Sequence, residues 1–253
     1  MRLTSMRTAD GVCEQDFILD DIPGVLWSPD GATGPRPLVL LGHGGGQHKR
    51  GPGTVARAHQ FVTSCGFAAA AIDMPGSGDR PRTEDEERFW DTLRARRAAG
   101  EPVAAEVARH FAELADRVVP EWQAVLDALA GLEAAGAGGP VVYWGVSLGT
   151  MVGVPLAAAE PRIRAAVFGL AGRGYRDALA EAAALIRIPV EFLLQWDDEL
   201  IPREEGLALF GAFGSAEKTL HANPGRHHDV PVFELDSSTR FFTRHLGRSA
   251  GPT

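Results

Sequence analysis

Apolar and polar residues follow two different periods along this chain, and together these periods predict an alternation of strands and helices. Short continuous apolar runs bounded by glycine or proline predict buried strands, of which residues 37–41 are the clearest. Apolar residues at every third or fourth position across 107–132 predict a long helix with one apolar face, which Pro120 should kink or split. This alternation is typical of a mostly parallel sheet with helices on both faces.

The remaining elements follow the same two patterns. Residues 16–19 and 24–27 predict a short hairpin that forms an antiparallel edge of the sheet. The segments 80–103 and 171–187 contain more residues than the sheet needs, so we expect them to form a small helical cap on a single α/β domain covering 1–253. Further strands are predicted at 66–72, 141–144, 163–168, 190–195 and 217–220, and further helices at 53–65, 148–158, 175–186, 203–212 and 232–246.

Composition and charge exclude several classes of protein. The 253 residues are 45% hydrophobic and 23% charged, which is typical of a globular domain. A net charge of −8 argues against electrostatic binding to nucleic acid or to an anionic membrane. Cys13 and Cys65 are too few for a disulfide framework or a cysteine metal site. No apolar stretch reaches the roughly 18 residues of a membrane helix, and residues 1–10 lack the apolar core of a signal peptide, so we expect a cytoplasmic protein.

The candidate chemistry begins with a G-x-S-x-G motif, Gly145-Val146-Ser147-Leu148-Gly149, directly after the predicted strand 141–144. A sharp turn from strand to helix needs small residues beside the serine, and it lifts the serine hydroxyl out of the sheet. The strand before the motif and the helix after it supply this setting, so Ser147 is the candidate nucleophile. The alternative is a glycine-rich turn in which Ser147 only caps the helix.

A serine hydroxyl needs a base within hydrogen-bond distance and an acid behind that base. Asp197 and Asp198 follow the predicted strand 190–195, and His227 and His228 follow the next predicted strand. Because ligands bind at the carboxyl ends of parallel strands, we expect these residues to lie near the serine.

The tetrahedral intermediate of acyl transfer also requires backbone donors for its oxyanion. Gly44, Gly45 and Gly46 follow the strand 37–41, and such a run lets the main chain approach a ligand closely. We expect Gly45 or Gly46 to supply one N–H and Leu148 the other. His43 is expected to shape this loop through hydrogen bonds, because the downstream histidine pair already provides a base.

These motifs resemble the α/β-hydrolase family, in particular its dienelactone-hydrolase-like and acyl-peptidase-like branches, over residues 20–246. The resemblance implies the α/β-hydrolase fold. It also implies Asp198, three residues before Ile201, as the acid and His227 as the base. Gln195 departs from the pattern, because the family commonly has glycine there. The segments that carry the resemblance are 43–46, 73–78, 145–149, 198–202 and 225–227.

Together these residues predict a serine hydrolase that cleaves a carboxylic ester or lactone through an acyl-enzyme on Ser147. No metal or organic cofactor is implied. Thioesterases, peptidases and acyltransferases use the same triad, so these activities stay open at this point. A non-catalytic ligand-binding protein on the same scaffold is an alternative of another class.

Basic residues in the loops after the strands suggest a small-molecule substrate that carries an anion, and the aromatic residues Trp90 and Tyr175 of the two expected cap segments are candidates to line its pocket. The planar guanidinium of arginine suits carboxylate recognition, and a local positive field would steer an anion to the site. Against this expectation, the acidic run 84–87 could pair with several of these arginines at the surface. The candidate substrate-binding residues are His48, Arg80, Trp90, Arg173 and Tyr175.

Overall fold

The computed structural model describes residues 1–246, and within that range nine strands form one sheet in the order β1-β2-β3-β5-β4-β6-β7-β8-β9. Residues 247–253, which the expected domain range 1–253 includes, lie outside the described residues. The strands are β1 (Arg2–Ala9), β2 (Val12–Leu19), β3 (Ile22–Pro29), β4 (Leu38–Gly42), β5 (Ala68–Ile72), β6 (Val141–Gly145), β7 (Ile163–Gly169), β8 (Val190–Gln195) and β9 (Lys218–Asn223). The helices are α1 (Pro52–Cys65), α2 (Glu84–Ala98), α3 (Ala104–Leu129), α4 (Leu148–Ala159), α5 (Ala178–Leu185), α6 (Arg203–Ala212) and α7 (Phe233–His245).

Strands β4 to β9 pair in parallel, and β1, β2 and β3 form an antiparallel ladder that joins them through β5. The core has two halves, one on each face of the sheet. Successive residues of β4 alternate between them: Leu38 and Leu40 pack with residues of α3 and α4, whereas Val39 and Leu41 pack with residues of α1 and α7. A strand buried on both faces needs apolar residues at every position, which explains the continuous run at 37–41.

The amino-terminal edge of the sheet contains one strand more than predicted. The hairpin at 16–19 and 24–27 is present as β2 and β3, but β1 adds a third strand that the sequence analysis missed. Every residue of β1 is exposed, so its sequence carries none of the alternation that marks a half-buried strand.

Helix α3 is continuous from Ala104 to Leu129, so of the two effects expected of Pro120, a kink or a split, the split does not occur. Pro120 is exposed, and the carbonyl that loses its helical donor is free to bond with water. A proline inside a helix costs about 3 kcal/mol. Full burial of Val118, Trp122 and Val125 on the opposite face contributes about 1.5–3 kcal/mol for each apolar side chain, which outweighs that cost. Among the described helices, none combines the length and apolar character that crossing a bilayer requires.

Candidate active site

Ser147 lies in the sharp turn between β6 and α4. Its backbone has φ 58° and ψ −119°, a conformation that side-chain-bearing residues rarely adopt. The Ser147 N–H donates to the carbonyl of Gly169 on the neighbouring strand at 2.9 Å, which holds the turn in place. The hydroxyl is therefore presented at the carboxyl edge of the sheet, next to the amino end of α4.

The two glycines of the motif are required by close packing. A Cβ on Gly149 would lie 2.5 Å from the carbonyl oxygen of Gly42 on β4. A Cβ on Gly145 would lie 2.8 Å from the ring of Tyr143 and 2.9 Å from the carbonyl oxygen of Gly149. Both contacts involve rigid groups, so a larger residue at either position would displace the turn that carries Ser147.

The structure brings together the serine, the histidine and the aspartate that the resemblance selects. The Nε2 atom of His227 lies 2.9 Å from Ser147 Oγ, and its Nδ1 atom lies 2.7 Å from Asp198 Oδ2. The other carboxylate oxygen of Asp198 accepts the N–H groups of Leu200 and Ile201 at 2.8 and 2.9 Å, which fixes its orientation. An Nδ1–H tautomer of His227 satisfies this arrangement, since it leaves Nε2 free to accept the serine proton.

The neighbouring candidates lie outside this chain of hydrogen bonds. The Oδ2 atom of Asp197 accepts only a long contact from the Gly225 N–H, at 3.4 Å. The His228 ring is exposed and stands edge-on to His227, with ring centroids 5.1 Å apart. Neither residue reaches Ser147 or the Nδ1 atom of His227 within the described range.

The predicted oxyanion donors line a cavity of about 470 Å³ beside the serine. Gly45, Gly46 and Leu148 all contribute to its wall. Within residues 1–246, no backbone carbonyl accepts from the N–H groups of these three residues. Backbone donors of residues that line a cavity beside Ser147 are suited to bind an oxyanion.

His43 lies at the start of the loop that carries Gly45 and Gly46, which we call the oxyanion loop, and it is almost completely buried. Its Nδ1 atom is 2.9 Å from the Gly44 carbonyl, and its Nε2 atom accepts the N–H of Met74 at 3.4 Å. Burial lowers the pKa of His43, so the ring is neutral at physiological pH. These contacts connect the oxyanion loop to the turn after β5, which is the shaping role expected of this residue.

The wall of the cavity facing the oxyanion loop comes from the segment 80–103 and from α3. Trp90 packs edge-on against His110 and beside Phe111, and all three line the cavity. Of the five candidate substrate-binding residues, Trp90 is the one in this wall; His48, Arg80, Arg173 and Tyr175 are absent from it. The segment 171–187 contributes no residue to this wall.

Several of the bases expected to attract an anion are instead held by carboxylates. Arg80 makes a two-pronged ion pair with Glu121 at 2.7 and 2.8 Å, and Arg173 contacts Glu205 at 2.9 Å. Lys49 is buried between Asp73 and Asp79, with distances of 2.6 and 2.5 Å. In contrast, the cavity-lining residues Arg82 and Arg117 reach carboxylates only at 3.9 Å, on Glu87 and Glu86 respectively.

A second polar cluster lies where β8, β9 and α7 meet. Glu191, His221 and Glu234 each offer a ligand atom within 4.8 Å of the others, so within the described residues this is the group that could hold a metal ion. The Nδ1 atom of His221 lies 2.8 Å from Glu234, and the Ser238 hydroxyl donates to Glu191 at 3.1 Å. Burial raises the pKa of Glu191. Ser147 makes no contact with this cluster.

The loop between β9 and α7, which carries His227, is contacted by two residues that were not predicted to be functional. Gln195 is buried at the end of β8 and donates to the carbonyls of Pro224 and Arg226. Glu199 accepts the main-chain N–H of His227. The departure of Gln195 from the family pattern was visible in the sequence, but Glu199 had no signal beyond its place beside Asp198.

Solved structures resemble this chain over nearly its whole length. A cold-adapted esterase from an Arctic intertidal metagenomic library, in its polyethylene-glycol-bound complex, is 36% identical with a TM-score of 0.77, covering 97% of this chain and 100% of that chain. The native structure of a cold-adapted esterase from the same kind of library aligns at 33% identity and a TM-score of 0.72, with the same coverage. An acetyl xylan esterase from Thermoanaerobacterium sp. is 15% identical with a TM-score of 0.67, covering 96% of this chain and 87% of that chain, and shows the fold alone. No protein-family model and no curated protein sequence matches the chain.

Proposed function

This chain belongs to the α/β-hydrolase family and is a carboxylic ester hydrolase, and from this premise we propose that it cleaves its substrate through an acyl-enzyme on Ser147. The observation that carries the proposal is the 2.9 Å contact between Ser147 Oγ and His227 Nε2, continued to Asp198 at 2.7 Å. An activated serine with free backbone donors beside it is suited to acyl transfer.

The proposed reaction has two halves. His227 Nε2 takes the proton of the Ser147 hydroxyl while Oγ attacks the ester carbonyl, and the carbonyl oxygen becomes an oxyanion. The N–H groups of Leu148 and of Gly45 or Gly46 stabilise that oxyanion. His227 then gives the proton to the leaving alcohol, which departs and leaves the acyl group on Ser147. In the second half His227 takes a proton from water as the water oxygen attacks the acyl carbonyl. His227 then returns that proton to Ser147 Oγ, the bond between Oγ and the acyl carbon breaks, and the carboxylic acid is released.

Burst kinetics test this two-step course. With a 4-nitrophenyl ester whose acyl group is slow to hydrolyse, we expect a rapid release of 4-nitrophenol equal to the concentration of active sites, followed by a slower steady rate. The measurement is stopped-flow absorbance at several enzyme concentrations. A linear time course with no burst, for every acyl group in a series from acetyl to pivaloyl, would contradict an accumulating acyl-enzyme.

The finer assignment to the dienelactone-hydrolase-like or acyl-peptidase-like branch, and with it activity on lactones, belongs to the same proposal. It is supported by the sequence segments 43–46 and 198–202. The cap expected at 80–103 and 171–187 is also part of the proposal, and its first segment is supported by Trp90 of α2, which lines the cavity with Gly45 and Gly46.

An anionic substituent on the substrate is supported by Arg82. Its guanidinium lies 5.4 Å from the centroid of the Trp90 ring in the cavity wall, and its nearest carboxylate, Glu87, is 3.9 Å away. Glu86 and Glu113 also line the cavity. Glu86, however, already accepts the N–H of Thr83 at 2.8 Å, in the hydrogen bond that caps the amino end of helix α2. Arg117 lies in the same wall and is also 3.9 Å from its nearest carboxylate, but its side chain is 59% exposed against 28% for Arg82. Arg82, which is less exposed and lies beside Trp90, is therefore the cation in this wall that we propose meets a substrate carboxylate.

Replacement of Arg82 tests the anion. We expect Arg82→Gln to lower kcat/KM about tenfold for an ester that carries a carboxylate, and to leave the matched neutral ester within about twofold, because only the first loses a charge-assisted hydrogen bond. The preference of the unmodified protein for the anionic ester should shrink at high salt. Arg173→Gln, whose residue lies outside the cavity wall, is the matched control. Equal loss on both esters, or a salt-independent preference for the neutral one, would contradict the proposal.

A further inference from the structure

Gln195 occupies the last position of β8, where members of this family commonly have glycine. Its side chain is 99% buried, and its Nε2 atom donates to the carbonyls of Pro224 and Arg226, each at 3.3 Å. Its Oε1 atom is buried without a partner among the described residues. The opposite orientation of the amide would place this oxygen against two carbonyl oxygens, so the observed orientation is the favourable one.

Glu199 contacts the same loop at its other end. Its carboxylate accepts the main-chain N–H of His227 at 3.0 Å. That hydrogen bond lowers the pKa of Glu199 and keeps the carboxylate charged. Thus Gln195 holds the residues before His227, whereas Glu199 holds the main chain of His227 itself.

The loop between β9 and α7 needs such support. Residues 224–232 form neither a strand nor a helix, and Gly225 adopts φ 113°, a backbone conformation that glycine adopts far more readily than other residues. Two backbone hydrogen bonds connect the loop to the segment after β8, from Trp196 to Asn223 at 2.7 Å and from Asp197 to Gly225 at 3.1 Å. After Gly225, the contacts between this loop and residues 195–199 come from the side chains of Gln195, Asp198 and Glu199.

We propose that Gln195 and Glu199 are positioning residues that fix the main chain of the loop carrying His227, so that its imidazole stays aligned between Asp198 and Ser147. This inference rests on the proposed function, in which His227 is the base. Neither residue touches the substrate or the reacting atoms. Each acts through the backbone of the loop.

The expected consequence follows from the geometry of proton transfer. Misplacement of a catalytic group by about 1 Å costs up to about 100-fold in rate, whereas substrate binding in the cavity does not depend on the His227 loop. Loss of either hydrogen-bonding group should therefore lower kcat and leave KM nearly unchanged. A purely structural role would lower the number of correctly folded sites and leave kcat per site unchanged.

The experiment measures kcat and KM per active site, with active sites counted by titration with a fluorophosphonate. Gln195→Met keeps the volume of the buried side chain but removes its donors, and we expect kcat to fall about tenfold with KM within about twofold. Glu199→Ala should lower kcat in the same way, and Glu199→Gln, which keeps an acceptor oxygen, should restore most of it. Gln123→Met is the matched control, because Gln123 donates its amide to the Ala159 carbonyl at the far end of α4 and should have wild-type kinetics.

The outcomes separate this inference from the proposed function. His227→Ala is measured in parallel: if it retains wild-type activity, the proposed function itself fails. If His227→Ala is inactive but Gln195→Met and Glu199→Ala keep wild-type kcat per site, only the positioning role is wrong. If Glu199→Gln is as damaging as Glu199→Ala, the hydrogen bond to the His227 N–H is not the cause, and the inference is again overturned. Because Glu199 is exposed, its variants decide the question even if Gln195→Met does not fold.

Discussion

Replacement of Ser147 by alanine is expected to lower kcat/KM for a 4-nitrophenyl ester by at least about 10⁴-fold. Without Oγ there is no nucleophile for His227 to activate, and the oxyanion donors alone give only weak acceleration. The loss should fall on kcat, because Ser147 is not among the residues that line the cavity in which we propose the substrate binds.

Ser215→Ala is the matched control for this variant. Ser215 is buried, and its hydroxyl donates to the Glu217 carbonyl at 2.9 Å, before the amino end of β9 and therefore at the opposite edge of the sheet. It should retain wild-type kcat/KM. If Ser147→Ala keeps more than about a tenth of the wild-type kcat/KM, another residue is the nucleophile.

For the base and for the acid, we expect replacement of one of two neighbouring residues to lower kcat strongly and replacement of the other to have little effect. His227→Ala should lower kcat by about 10³- to 10⁴-fold, whereas His228→Ala should stay within about threefold, because only His227 reaches Ser147 Oγ. Asp198→Asn should lose nearly as much as His227→Ala, since an amide favours the wrong tautomer of the imidazole. Asp197→Asn should lose little.

Steady-state kinetics on the four purified variants check these contrasts, and the thermal unfolding temperature of each shows that it is folded. A large loss in His228→Ala or Asp197→Asn, with small losses in His227→Ala and Asp198→Asn, would mean that the assigned register is shifted by one residue.

The parts of the fold that the sequence predicted well are those in which burial dictates residue type. Strands β4 and β6 are covered on both faces, so they need unbroken apolar runs that are visible without a structure. The sequence pattern also placed Ser147, the pair Asp197 and Asp198, and the pair His227 and His228 after three strands of a parallel sheet, β6, β8 and β9, which is sufficient to bring them to one edge. The family resemblance then selected Asp198 and His227. The strand β1 shows the opposite case, because a strand exposed on both faces leaves no periodic signal.

What the sequence could not predict is which charged and polar side chains meet. Arg80 and Arg173 are available to a ligand when only the sequence is considered, but the fold gives each a carboxylate partner from a distant element. The contacts of Gln195 with the loop before His227 likewise depend on strand register, which pairs residue 195 with Asn223. Such pairings arise from three-dimensional packing and have no local pattern.

The most direct test of the account is the site of covalent labelling by a fluorophosphonate. The folded protein is treated with the reagent, digested, and analysed by tandem mass spectrometry. The account predicts one adduct per chain on Ser147, loss of ester hydrolysis in step with labelling, and no labelling of Ser147→Ala. An adduct on any other residue of protein that has lost its activity, or full activity after complete labelling of Ser147, would contradict it.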